Sequence, residues 1–92
     1  MSVVIIGGNE CMERHYTDLC KEYNCRAKVF YHMKREMQNF GTPDLLVLFT
    51  GTVSHKMVKC ALSKTDSKRT RIARSHSSSL AALRSIMESH FG

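Results

Sequence analysis

The sequence predicts an α/β fold of three layers, Rossmann-like or flavodoxin-like, with a short parallel sheet of four strands between helices. Three observations carry that expectation. Strand-length apolar segments alternate with segments whose apolar residues recur at helical spacing. Two strands, around Val3-Val4-Ile5-Ile6 and Leu45-Leu46-Val47-Leu48-Phe49, are apolar on both faces, as central strands of a covered parallel sheet are. Glycine, serine and threonine follow the carboxyl ends of the strands, where a βαβ unit turns into its helix.

The chain opens with an apolar strand, a Gly7-Gly8 turn and Asn9, a good N-cap residue. Met12, Tyr16, Leu19 and Tyr23 then share one helical stripe, predicting a first helix over residues 10–23. Glu10 and Glu13 suit the positive end of its dipole, and Asn24 its C-cap. Residues 26–32 form the second strand. Arg26 and Lys28 alternate with Ala27, Val29 and Tyr31, which fits a sheet edge. Met33, Met37 and Phe40 predict a short helix over residues 33–41, stopped by Gly41-Thr42-Pro43-Asp44.

The third strand covers residues 45–50. Thr52 or Ser54 then caps a helix whose buried stripe includes Met57, Cys60, Ala61 and the stem of Lys64. Residues 69–75 make a poorer fourth strand, with Arg71 and Ala73 on one face and Ile72 and Arg74 on the other. Ser77, Ser78 and Ser79 offer caps for a last helix with Leu80, Leu83, Met87 and His90 or Phe91 on its stripe. Right-handed crossovers make 2-1-3-4 the expected strand order, with the switch point between strands one and three.

With 92 residues the chain is expected to be one domain, residues 1–92, with a modest core that oligomerisation would supplement. The net charge of +6 favours anionic partners over cationic ones, unless the charges only solvate helix faces. The start of the chain reads as a strand, with no basic leader, and no apolar run is long enough to span a bilayer, so a cytoplasmic location is expected. Cys11, Cys20, Cys25 and Cys60 form no CxxC pair and read as reduced thiols.

In such a sheet all strand-to-helix loops open on the carboxyl edge. That edge gathers Gly7, Gly8 and Asn9, the end of strand two near His32, the Thr50 to His55 turn, and Arg74 to Ser79. Three chemistries fit. Helix starts with Ser77, Ser78 and Arg74 could hold a small anion or a nucleotide, although Gly7-Gly8 lacks the further glycines of a dinucleotide fingerprint. His55 and His76 could ligate a metal or haem iron, although no H-x-x-x-H pair is present. Cys11, in the first turn of a helix, could be a nucleophile with His55 near it, although no nucleophile elbow or acidic partner accompanies it. Nucleic acid is not expected, because the aromatic residues do not interleave with the basic ones.

The Gly7-Gly8 turn, the Val53-Ser54-His55-Lys56-Met57 segment and the Arg74-Ser75-His76-Ser77-Ser78 segment, in this order and over almost the full length, resemble a small bacterial family, domain of unknown function 2325. The resemblance implies a single small α/β domain. It also implies that some members bind haem as homo-oligomers. His55 and His76 match the family pattern. Many members carry histidine where this chain has Asn9, which brings His15, one helical face away, into the candidate ligand set. Arg14 or Arg74 would pair with haem propionates. The expectation from the resemblance is therefore a non-enzymatic haem-binding protein, a homodimer or higher oligomer, engaged in haem handling or in gas or redox sensing.

Overall fold

The structure, a computed structural model, describes residues 1–32 and 40–92. Four parallel strands, β1 (Ser2–Ile6), β2 (Arg26–Phe30), β3 (Leu45–Phe49) and β4 (Arg71–Ser75), lie in the order β2-β1-β3-β4. The helices are α1 (Glu13–Glu22), α2 (His55–Ser63) and α3 (Leu80–Phe91), with a 3-10 turn over Glu10–Met12 ahead of α1. The sheet, its strand order and the alternation of strands and helices are those read from the sequence. The short helix expected over residues 33–41 falls almost wholly outside the described residues.

Alternation along the strands divides the core into two. Val3, Ile5, Leu45, Val47 and Phe49 face Tyr16, Leu19 and Cys20 of α1 and Leu83 and Met87 of α3. Val4, Ile6, Leu46 and Leu48 face Met57 and Ala61 of α2. Period-two side chains from β1 and β3 thus serve both layers, which is why Val3 to Ile6 and Leu45 to Phe49 are apolar at every position. Each fully buried Leu, Ile or Phe contributes on the order of 2 kcal/mol of transfer free energy.

Asp44 closes the amino edge of the sheet. Its Oδ2 accepts the Ser2 N–H at 2.8 Å, its own N–H donates to the Ser2 carbonyl at 2.9 Å, and its carbonyl accepts from Arg71 at 3.1 Å. One residue thereby sets the starts of β1, β3 and β4 level. The buried Thr70 hydroxyl donates to the Pro43 carbonyl at 2.7 Å beside it. No helix among the described residues is long and apolar enough to cross a membrane.

Several boundaries differ from the sequence reading. The first helix does not begin at Glu10. Asn9 Oδ1 accepts the Cys11 N–H at 3.0 Å and tightens residues 10–12 into a 3-10 turn before the α-helix starts. Strand two ends at Phe30 rather than His32, because its carbonyl takes the Gly7 N–H at 2.8 Å and β1 turns away there. Strand four starts at Arg71 rather than Arg69, whose N–H is held by the Asp66 carbonyl at 3.0 Å in the preceding turn. Lys64 ends α2 as its exposed C-cap and does not join the buried stripe. His15 is exposed, since the buried stripe of α1 runs through Tyr16, Leu19 and Cys20. Asn24, just past α1, takes a left-handed φ of 59°, the conformation expected of a cap residue there.

Candidate functional site

The carboxyl edge is a set of four turns tied by hydrogen bonds. Gly7 and Gly8 have φ of 96° and 101°, which L side chains rarely adopt. The chain can therefore reverse directly after β1 while staying pressed against its neighbours. A Cβ on Gly7 would lie 2.5 Å from Val53 Cγ1, and one on Gly8 would lie 2.9 Å from Tyr16 Cε2. The Gly8 N–H donates to Thr52 Oγ1 at 2.7 Å, and the Thr52 hydroxyl donates to the Phe49 carbonyl at 3.1 Å. The turn after β1 is thus bonded to the turn after β3.

Tyr16 makes the second tie. It is fully buried, its ring lies 5.7 Å from that of Phe49, and its hydroxyl reaches the edge from below. The hydroxyl donates to the Ser78 carbonyl at 2.6 Å and accepts the Asn9 N–H at 3.2 Å. A single phenol thereby joins the turn after β1 to the loop that follows β4. Sequence reading placed Tyr16 only on the apolar stripe. The available signal was that a buried tyrosine hydroxyl needs a polar partner.

The cap side chains each take one amide at the start of α2 and of α3. Ser54 Oγ accepts the Met57 N–H at 3.2 Å, and Ser79 Oγ accepts the Ala82 N–H at 3.1 Å. Ser77 Oγ donates to Ser79 Oγ at 3.2 Å and accepts the Ser79 N–H at 3.3 Å. Ser54 is therefore the cap of α2 and Ser79 that of α3, with Ser77 supporting the latter. Ser78 contributes its carbonyl to Tyr16.

Gly7, Gly8, Asn9, Ser77 and Ser78 are brought together by these bonds. His76 joins them indirectly: it lies against Gly51, where any Cβ would run into the His76 carbonyl. His55 is the first residue of α2 at the same edge. Both imidazoles are exposed. Arg74, at the carboxyl end of β4, is exposed on the side of the sheet that α2 covers. Arg14 and His15 stand apart from the edge turns, on the exposed side of α1.

A further histidine was seen in the sequence only as the end of a strand. His32 Nε2 lies 2.9 Å from Glu10 Oε1, with both side chains largely exposed. Next to it, the Tyr31 hydroxyl is buried without a hydrogen-bond partner among the described residues. Burial, reinforced by the Glu13 carboxylate, holds that phenol above the ordinary tyrosine range. Cys11 is an exposed free thiol, whereas Cys20 and Cys25 are buried and Cys60 is half-buried. No group of three or more His, Cys, Asp or Glu side chains placed to hold a metal ion occurs among the described residues.

The family model described as an uncharacterized protein conserved in bacteria, domain of unknown function 2325, matches residues 2–90. The chain belongs to that family. No curated protein and no solved structure was found to match it. Three segments of this member of family 2325 singled out in its sequence, Gly7-Gly8, residues 53–57 and residues 74–78, all fall on or beside the carboxyl edge. Cavities of about 220 and 270 Å³ flank β2, one against Phe40 and Pro43 and the other against Glu13 and Thr17 of α1.

Proposed function

We propose that this family 2325 protein is a non-enzymatic binding protein that takes up haem at the carboxyl edge of its sheet, for haem handling or for gas or redox sensing. The observation that supports this reading is the pair of exposed imidazoles, His55 and His76, at one edge. Neither ring makes a hydrogen bond or ion pair among the described residues, whereas His32 is engaged by Glu10. An unengaged neutral imidazole is a ready iron ligand. His15 is the third candidate, and Arg14 and Arg74 are exposed cations suited to propionates.

The fit to haem is partial within one copy. Cavities of about 220 and 270 Å³ are smaller than the roughly 300 Å³ at which ligand pockets begin. Both cavities flank β2 and neither lies at the carboxyl edge, so the reading has a second copy close over the macrocycle. A homodimer or higher oligomer belongs to the same proposal. When bound, haem would supply the iron that reversibly takes a gas or an electron, while His15, His55 or His76 would hold it and Arg14 or Arg74 would pair with its carboxylates.

The competing readings find less support. A phosphate cradle needs free amides at helix starts; those of Gly8, Asn9, Cys11, Met57, Ser79 and Ala82 are bonded within the edge, which leaves it the first amides of α2 and α3. A cysteine nucleophile needs a base, but Cys11 has no hydrogen bond from its thiol to an imidazole among the described residues. The test is titration of the purified protein with hemin. A Soret band that shifts on binding and is lost when His15, His55 and His76 are all replaced by alanine is expected. No shift, or a shift that survives the triple replacement, removes the proposal.

A further inference from the structure

Charge is segregated along this chain. Residues 50–79 hold seven of the fourteen Lys and Arg residues but only one of the eight acidic ones, Asp66. The remaining residues hold seven of each, so the whole net charge of +6 belongs to that segment.

The fold makes this separation spatial. The segment is α2, the edge strand β4 and the loops around them. The acidic residues Glu13, Asp18 and Glu22 lie on α1 and Glu88 on α3, both on the opposite face of the sheet. On that opposite face the signs are interspersed, and Arg84 lies 3.4 Å from Glu22. Within the segment, Lys56, Lys59, Lys68, Arg69, Arg71 and Arg74 are all exposed. Asp66 is the one acidic residue of the segment, and it lies 3.8 Å from Arg69. Strand alternation puts Arg74 with Ile72 on the α2 side and Arg71 on the other, so cations flank the free edge of β4 on both sides. A face that merely stays solvated needs no single-sign field, and mixed signs serve it better.

We propose that the α2–β4 face docks the phosphate backbone of duplex DNA. The chemistry of the face selects among polyanions. Residues 50–79 contain no Phe, Tyr or Trp, so a single strand would find no stacking platform. That lack of aromatics argues against base stacking and leaves backbone contact untouched. A lipid surface would need exposed apolar side chains to seat, and among the described residues Met1 is the one large hydrophobic side chain that is exposed. Arg71 and Arg74 are about 10 Å apart along an extended strand. The nine residues of α2 cover the side of the sheet that Arg74 faces and carry the exposed Lys56 and Lys59. A helix roughly 10–12 Å across fits the B-form major groove, about 12 Å wide, and does not enter the deep, narrow groove of A-form RNA.

The experiment is fluorescence anisotropy of a labelled DNA duplex of roughly 20 base pairs, titrated with the full chain at several salt concentrations. Four phosphate contacts give a slope of log K on log salt near about −3.6, so affinity falls roughly 150-fold between about 50 and 200 mM salt. The quadruple variant K56Q/K59Q/K68Q/R71Q is expected to lose about tenfold or more at low salt and to flatten that slope. Two controls carry the argument. K21Q/R26Q/K28Q/R84Q removes the same number of charges elsewhere and is expected to lose less than about threefold. K56R/K59R/K68R/R71K keeps every charge and is expected to bind as the parent does. The proposal is overturned by no binding at low salt, by equal losses in the two neutralised variants, or by tighter binding to phosphatidylserine vesicles, polyglutamate or duplex RNA than to DNA. None of these readouts involves haem, so this proposal and the preceding one stand or fall separately.

Discussion

Replacing Tyr16 with phenylalanine removes one oxygen atom and tests how the candidate edge is held together. The ring stays, so its packing 5.7 Å from Phe49 is retained and no cavity opens. Two hydrogen bonds are lost, the one donated to the Ser78 carbonyl at 2.6 Å and the one accepted from the Asn9 N–H at 3.2 Å. Each such bond contributes on the order of 1 kcal/mol net, and an orphaned partner costs more only where water cannot reach it. Asn9 is exposed and Ser78 half-buried, so water can approach both groups. The expected loss is therefore about 2 kcal/mol, toward the lower end of what two orphaned groups could cost. For a domain of this length it corresponds to a fall in Tm of roughly 8–16 °C. Urea denaturation followed by circular dichroism measures it. A loss under about 0.5 kcal/mol would show that Tyr16 serves only as core and that the turn after β1 and the loop after β4 are positioned by something else.

Gly7→Ala should destabilise by about 3 kcal/mol or more, because it forces an L side chain to φ 96° and puts a Cβ 2.5 Å from Val53 Cγ1; a thermal melt within a few degrees of the parent would refute this. Burial, with the neighbouring Cys25 adding to it, pushes the Cys20 thiol from 9.0 up to about 12. In that window the unfolded chain has released a proton that the folded one still holds. Stability is therefore fully present below pH 9.0 and declines as the pH rises toward about 12. Cys20→Ala should make the decline in urea midpoint shallower, and an unchanged decline would assign it to other groups. Arg84→Ala breaks the pair with Glu22 at 3.4 Å, but both side chains are about half exposed. Its effect on the urea midpoint should stay below about 0.5 kcal/mol, and a larger loss would reveal a packing role for the arginine stem.

The parts of the fold legible in the sequence are those fixed by periodicity. Val3 to Ile6 and Leu45 to Phe49 are apolar on both faces, which leaves them only central positions, and crossover handedness then settles the order of the other two strands. Ends of elements were less legible, because single long-range or side-chain bonds decide them. Strand two stops where the Gly7 N–H takes the Phe30 carbonyl, and the first helix starts late because the Asn9 side chain takes the Cys11 N–H. Turn composition put Gly7, Gly8, Asn9, Ser77 and Ser78 on one edge, and there they lie. The bond that joins them was not legible, since Tyr16 and Ser78 are 62 residues apart and the tyrosine resembles any other member of an apolar stripe. The histidine pairing of His32 with Glu10 was hidden for the same reason, 22 residues apart across two elements.

The hydrogen bonds at the carboxyl edge also narrow what it can recognise. In a phosphate-binding βαβ fold the loop amides point outward, and the ligand completes their bonding. Here Thr52, Tyr16, Asn9, Ser54 and Ser79 accept those amides from within the chain. At the Gly8 and Asn9 amides an oxyanion would have to displace bonds of 2.7 and 3.2 Å that already exist, so it gains little over water there. The same bonds leave the turns rigid and the imidazoles of His55 and His76 projecting from them. An edge whose exposed groups include two imidazoles and a guanidinium suits a ligand that brings a metal and carboxylates together. Arg74 belongs both to this edge and to the basic segment of α2 and β4, so an Arg74→Gln variant bears on haem uptake and on DNA binding alike.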